Sequence, residues 1–363
     1  MASLSSQATV IGQPSSDNQR SQFSFEPDNE RWSQLRKLLH NNVLSPKHFD
    51  TLAMEKEAND GVVRPLQALK IMAVRFLNEL VAERIRLGDE RDNVLLNSFP
   101  YTRYFIPSSK RAVKKWKTLR AAILQLILPL IQFARTRQQS APDCYLNCLL
   151  SVGEEEEDEE HNLKFSDEEI ALNMFELFFL AVDSTSTALE WTLAYLIIHP
   201  KIQERAYQEV RLVVDGKEGG LLCLKETLRK ESIAPLAIVH QTVEECKVMG
   251  FTIPAKSSVL INLHGVWNGP VAWKEPDQFT RERFLGNMDS DKVKMWYLPF
   301  GAGRRVCAGM DLANFHVPIT LANLLLKFVW ACVKEGSSPD LTRHIPSLLV
   351  SMKYPLEARI TCR

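Results

Sequence analysis

Apolar positions recur every three or four residues through much of the first half of the chain. The stretches "WSQLRKLL" (residues 32–39), "LQALKIMAVRFLNELVAERI" (66–85) and "LRAAILQLILPLIQFA" (119–134) each fit a 3.6-residue period. The spacing predicts a mostly helical region from residue 31 to about residue 137. A loop carrying "EEEEDEE" follows, and then "SDEE" at 166–169 forms a capping box, Ser166 as N-cap and Glu169 three residues on. From 168 to about 199 neither glycine nor proline interrupts the pattern. At 1.5 Å per residue such a helix runs roughly 45 Å, enough to cross a whole domain. Pro200 opens a further helix that ends at "DGKEGG", and "LLCLKETLRK" reads as another.

The pattern then changes. "PLAIVHQTV" (235–243), "KVMGFTIPA" (247–255) and "SSVLINLHGV" (257–266) are β-branched or alternating and bounded by proline and glycine, so they read as short strands. An apolar helix is predicted from about Met310, with Pro318 inside it, where a kink or a penalty of about 3 kcal/mol is expected. The tail "SLLVSMKYPLEARI" reads as a closing hairpin. The expectation is a mainly α domain with a small β portion spanning 31–363, behind a Ser/Gln-rich lead-in at 1–30 that reads as disordered and lacks the apolar core of a secretory signal.

Composition narrows the function classes. Forty-four basic residues balance 44 acidic ones, which gives no electrostatic reason for a nucleic-acid partner. The acidic block at 154–160 and the basic block at 110–120 read as solvated faces. Seven scattered cysteines without CxxC spacing argue against a disulfide framework and against a thiolate zinc site, and Cys144 and Cys148 read as structural. The longest uncharged apolar run, 121–134, is shorter than the roughly 20 residues that span a bilayer, and no transmembrane segment is expected.

One segment concentrates chemistry: "PFGAGRRVCAG", residues 299–309. Its glycines permit backbone conformations closed to other residues and let a flat ligand approach the chain. A thiolate there gains from a following helix start and from Arg305 two residues away. A metal ligand, a buried cysteine in a glycine loop and a phosphate cradle all remain open on the loop alone, although its spacing is not GxGxxG.

With Phe300, Gly303, Arg305, Cys307 and Gly309, the loop matches FxxGxRxCxG and resembles the haem-binding signature of the cytochrome P450 family. The resemblance implies the P450 fold, with Cys307 as the proximal thiolate ligand of haem iron, an arrangement that favours O–O cleavage. Arg305 then pairs with a haem propionate. Glu226 and Arg229 in "KETLR" match the family's ExxR pair, a spacing that is weak on its own because exposed Glu/Arg pairs usually do little. Arg283 in "RERF" matches the arginine that joins it, while Arg281 stands where the family usually has proline. His240 stands where the family places a basic propionate contact. Trp32 and Arg36 resemble the family's WxxxR pair, otherwise an amphipathic surface helix. On the long helix Asp183, Ser184 and Thr185 resemble the acid and hydroxyl that deliver protons, with Ala181 in the usual glycine place and Ser184 in place of threonine; without the family they read as a polar patch on a packed helix.

The resemblance implies haem b as cofactor, NADPH acting indirectly through NADPH-cytochrome P450 reductase, O2 as co-substrate and a small lipophilic substrate like those of plant microsomal members. It implies the cytosolic face of the endoplasmic reticulum membrane, or the cytoplasm if the absent anchor is genuine. Only about thirty residues precede Trp32, and the link before "LLCLKETLR" is short, so the implied fold is incomplete at its N-terminal side. The alternative reading is therefore a truncated, catalytically inactive remnant of the family, haem-binding or misfolded, and a narrower one is a reductase-independent member that rearranges hydroperoxides.

Overall fold

The computed structural model describes residues 6–7, 62–63, 108–136, 146, 149–150, 165–214, 221–285, 296–345 and 349–363. Trp32, Arg36, Cys144, Cys148, the acidic block and the two earliest helical patterns lie outside them. Six helices carry the described body: α1 (Ser108–Thr136), α2 (Asp167–Ile198), α3 (Pro200–Val214), α4 (Leu222–Glu231), α5 (Leu263–Trp267) and α6 (Met310–Lys327). Two 3-10 turns, Arg281–Phe284 and Gly303–Arg305, lie between α5 and α6. None of these helices is long and apolar enough to cross a membrane among the described residues.

The capping box forms as the sequence indicates. The Glu169 amide donates to Ser166 Oγ at 3.3 Å and the Ser166 amide donates to Glu169 Oε2 at 2.7 Å. Two start-of-helix amides thus gain acceptors, and Asp167, Glu168 and Glu169 place negative charge at the positive end of the dipole. Ile123, Ile127 and Ile131, four residues apart on α1, are buried against Ile170, Leu172 and Phe175 of α2. Arg135 fastens the same two helices through a 2.7 Å bond to Asp167.

The second half of α2 is the axis of the main core. Trp191, Leu193 and Leu196 are fully or almost fully buried with Leu321 and Leu325 of α6 and Val350, Leu356 and Ala358 of the tail. Trp191 Nε1 donates to the Val350 carbonyl at 3.2 Å, and the Leu356 amide donates to Glu190 at 2.9 Å. Helix α6 runs through Pro318 without a break. Asn314, whose carbonyl a residue 318 amide would otherwise reach, is exposed, while Val317, Leu321 and Leu325 keep the buried stripe.

The strands are short: β1 (Ser6–Gln7), β2 (Val62–Val63), β3 (His240–Gln241), β4 (Cys246–Val248), β5 (Phe251–Ile253), β6 (Ser258–Val259), β7 (Phe328–Cys332), β8 (Arg343–His344), β9 (Ser351–Met352) and β10 (Ala358–Cys362). They form antiparallel sheets in the orders β1-β3-β6 and β2-β10-β7, with β4-β5 and β8-β9 as pairs. Met249 (φ 50°) and Gly250 (φ 86°) make the two-residue turn of the β4-β5 hairpin, the conformation whose twist matches antiparallel strands.

Two expectations differ from this arrangement. The tail does not close on itself: β9 pairs with β8, and β10 pairs with β7 in the register Ala358↔Cys332 to Cys362↔Phe328. The third strand pattern contains only β6, because Asn262 accepts a 2.9 Å bond from the Gly265 amide and starts α5.

Candidate active site

The segment before α6 is fastened by its own backbone. The Gly301 amide donates to the Leu298 carbonyl at 2.9 Å, the Val306 amide to Gly303 at 3.1 Å and the Cys307 amide to Phe300 at 2.9 Å. Gly301 and Gly303 both adopt φ +76°, where a side chain is strained, and a Cβ at either would meet no atom within 4 Å. Backbone shape therefore sets these glycines, and the side on which their missing Cβ atoms would stand is open. Cys307 is exposed, and a Cβ on Gly309 would stand 3.9 Å from its Sγ. Gly309 is the N-cap of α6, so the cysteine precedes a helix start by three residues. Phe300 and Arg305 are half-buried beside it.

Glu226, Arg229 and Arg283 are joined. Arg229 donates to both Glu226 oxygens, Nε to Oε2 at 2.7 Å and Nη2 to Oε1 at 2.9 Å, in a side-by-side pair with both side chains fully buried. Arg283 Nε adds a 3.2 Å bond and the Thr280 amide a 2.9 Å bond to Glu226 Oε1. The arginines spend their other donors on main chain. Arg229 donates to the Trp267 carbonyl at 3.0 Å and to the Pro276 carbonyl at 2.8 Å; Arg283 donates to the carbonyls of Lys274, Glu275 and Gln278. One carboxylate thereby fixes α4 to the turns after α5 and to the 3-10 turn 281–284. Phe284 of that turn packs on Tyr297, whose hydroxyl donates to the Lys225 carbonyl at 3.3 Å.

His240 on β3 is half-buried, and its Nδ1 donates to the Ile238 carbonyl at 2.7 Å. Burial holds the imidazole below its ordinary pKa, against the pull of that carbonyl, and the charge of Arg305 pushes the same way as burial. The coupling places Arg305 and His240 in each other's electrostatic reach.

On α2 residues 186–197 are buried, whereas Asp183, Ser184 and Thr185 are only half-buried. Ser184 Oγ donates to the Leu180 carbonyl at 2.7 Å and Ser186 Oγ to the Val182 carbonyl at 2.7 Å. This back-bonding to the preceding turn lets hydroxyl residues sit mid-helix. Ala308, next to Cys307, packs on the α1-α2 cluster, so the cysteine loop and the helix of Asp183, Ser184 and Thr185 share one core.

The structure thus joins the Glu/Arg residues in one buried network and couples Arg305 to His240; Trp32 and Arg36 lie outside the described residues. Sequence reasoning does not reach the Thr280 amide or the Trp267 and Pro276 carbonyls, because main-chain groups have no residue signature. The residues present fit a flat, dianionic, thiolate-ligated group. The cysteine is exposed, the glycine-turned loop has an open face, and a guanidinium and an imidazole stand within each other's field.

A family model described as Cytochrome P450 matches residues 72–358. The chain is 31% identical to a trifunctional (S)-stylopine, (S)-nandinine and (S)-canadine synthase of Argemone mexicana, over 92% of this chain and 72% of that protein. It is 32% identical to an (S)-canadine synthase of Papaver somniferum, over 92% and 73%, and 31% identical to a piperic acid synthase of Piper nigrum, over 92% and 72%. A solved zebra fish cytochrome P450, in a structure with abiraterone, superposes with a TM-score of 0.69 at 22% identity, covering 98% of this chain and 89% of that one.

Proposed function

Because the chain belongs to the cytochrome P450 family of monooxygenases, we propose that it binds haem b through Cys307 and inserts one oxygen atom of O2 into a small lipophilic substrate, with electrons passed from NADPH by cytochrome P450 reductase. The observation that carries the reading is the Cys307 loop: an exposed thiol, fixed to Phe300 by its own amide, on a face kept open by two left-handed glycines. The haem supplies thiolate-ligated iron chemistry toward O2 when bound.

The chain's own residues do the rest. Arg305 offers a planar donor fork to a propionate, and His240 offers a donor at Nε2 once that nitrogen is protonated, because Nδ1–H is committed to Ile238. Trp32 and Arg36 are assigned to the propionates by the family pattern. The Glu226, Arg229 and Arg283 network fixes α4 to the 280–284 turn, whose Phe284 packs on Tyr297 ahead of the cysteine segment. Ser184 Oγ holds a proton that it donates to Leu180 at rest and releases by rotating about χ1, which serine does more freely than threonine. Asp183 beside it is the acid that returns the proton, and Thr185 supplies a second hydroxyl. The named products of the relatives differ from one another, and the substrate proposed here stays at the level of a small lipophilic molecule of plant type. The proposed location is the cytosolic face of the endoplasmic reticulum membrane.

The carbon-monoxide difference spectrum of the reduced, haem-supplied chain tests the assignment. A Soret band at the long wavelength of thiolate ligation, absent in Cys307→Ala, is the expected result. Indistinguishable spectra of the two proteins refute it, and a thiolate band without NADPH-dependent turnover in the presence of reductase refutes the monooxygenase step alone.

A further inference from the structure

Arg281 opens the 3-10 turn Arg281–Phe284, and its side chain is only 6% exposed. A charge so buried needs a partner, and its Nη2 lies 2.5 Å from Oε1 of Glu209, on α3. The fit is incomplete: Nη1 of Arg281 and Oε2 of Glu209 are buried without a hydrogen-bond partner among the described residues, and Nε has only a 3.4 Å ion-pair contact with Oε1 of Glu282, too poorly directed to count as a hydrogen bond. One turn earlier on α3, Arg205 bonds Glu282 at 3.0 Å. Two contacts of opposite polarity, four residues apart on α3, therefore meet two successive residues of the turn and set its register.

The neighbouring residues of the turn face the other way. The Thr280 amide and the Arg283 guanidinium both bond Glu226 of α4, and the Phe284 ring packs on Trp273 and Tyr297. The turn is thus a strap between α3 and α4, held to α3 by charge and to α4 by the Glu226 network, and its Phe284 packs on Tyr297, just ahead of the Cys307 loop in the chain. Cys223 of α4 stands close to the same pair. Burial pushes its thiol up to about 12, with the charge of Glu209 adding to the shift and that of Arg281 opposing it. A proline at 281 would fix φ by its ring; arginine has no such ring, and a buried ion pair costs desolvation that an apolar contact would not.

We infer that Arg281 and Glu209 are positioning residues for the haem-thiolate site, an ion pair that fixes the 280–284 strap from the α3 side so that Thr280 and Arg283 reach Glu226. The inference rests on the haem-thiolate reading for its consequence at the cofactor, but the local effect is independent of it.

The test uses the full chain and four variants: Glu209→Gln, Arg281→Ala, the swap Glu209→Arg with Arg281→Glu, and the apolar pair Glu209→Leu with Arg281→Pro. Amide exchange across 276–285 reads the strap directly. The reduced carbon-monoxide spectrum reads the cysteine site. Exchange at Thr280 accelerates about ten-fold or more in each single variant and returns toward wild type in the swap and in the apolar pair. In haem-loaded protein the thiolate-ligated band decays correspondingly faster to the short-wavelength form, again recovering in both double variants. Single variants with wild-type exchange, or double variants as fast as the singles, overturn the inference. Accelerated exchange with an unchanged band overturns the positioning role and leaves a purely structural pair. A wild-type protein with no thiolate band sinks the haem-thiolate assignment, and the exchange arm then still decides whether the pair holds the strap.

Discussion

Replacing Arg229 by alanine is the sharpest test of how the described core is held. Arg229 is fully buried and donates twice to Glu226, once each to the carbonyls of Trp267 and Pro276, and at 3.4 Å to Asn268. Its guanidinium also stands 5.5 Å from the ring centroid of Trp273. In Arg229→Ala the Glu226 carboxylate keeps only Arg283 and the Thr280 amide, at 3.2 and 2.9 Å. Removing one partner of a buried pair costs about 3–5 kcal/mol. Each orphaned carbonyl adds about 1–3 kcal/mol unless water fills the vacated volume. Taking water as filling it, the loss is still about 3 kcal/mol, a large share of the roughly 5–15 kcal/mol that holds a domain together. Denaturant melts of wild-type, Arg229→Ala and Arg229→Lys proteins measure it. Lysine keeps the charge as a single point and loses the fork, so an intermediate loss is expected. If Arg229→Ala melts within about 1 kcal/mol of wild type, the network is ornamental and the reasoning fails.

Three further outcomes follow from other contacts. Tyr195 donates to the buried carboxylate of Glu231, which also receives Arg343 at 2.7 and 3.1 Å; Tyr195→Phe is expected to cost about 1–2 kcal/mol in a melt, since Glu231 keeps its arginine. His199 and His264 are held below their ordinary pKa chiefly by burial, with Arg343 adding at His264. Their unfolded forms bind protons first on acidification, so this contribution to stability is whole above the unfolded value of about 6.5 and is lost as the pH falls through the lower folded values; melting temperatures from pH 8 to pH 5 read it, and a flat profile contradicts it. Ser184→Ala removes a hydroxyl without disturbing a buried charge, so the melt changes by less than about 1 kcal/mol while product formed per NADPH consumed falls; unchanged coupling rules out the relay role.

Much of the frame is legible in the chain because it is written in local spacing. The Ser166 and Glu169 box, the uninterrupted run that becomes α2 and Pro200 at the start of α3 each depend on residues within a turn of one another. Glu226 and Arg229 are legible as a pair for the same reason, but their worth is not. The same spacing on an exposed face contributes little, and only burial against the turns after α5 makes it strong. The strands are poorly legible because their partners lie far away: β10 pairs with β7 across about thirty residues, and no local signal excludes a hairpin within the tail. Asn262 is a start signal hidden in an apolar run, outweighed by the β-branched residues around it. Arg281 and Glu209 are illegible in principle, since nothing near either residue announces a partner more than seventy positions away.

The last consequence concerns how His240 meets a carboxylate. With Nδ1–H donated to the Ile238 carbonyl at 2.7 Å, the neutral ring has only an acceptor at Nε2. An acceptor repels a propionate. To donate, the ring must take up a proton at Nε2, and in the haem-free protein burial and the Arg305 charge both oppose this. On the proposed assignment a bound propionate would reverse the balance, neutralising Arg305 and attracting the imidazolium, and would raise the pKa of His240 in the complex above its value in the free protein. On the same assignment, haem binding would take up a proton at His240, and the His240 contribution to affinity would rise as the pH falls through the complex's value, levelling off below the value of the free protein. The slope of log affinity against pH reaches at most one proton's worth, about ten-fold per unit. Soret titrations of the full chain with haem from pH 8 to pH 6 measure it, with His240→Gln as the control, since glutamine donates without a proton being taken up. A wild-type slope that survives unchanged in His240→Gln places the proton elsewhere and removes His240 from the propionate site.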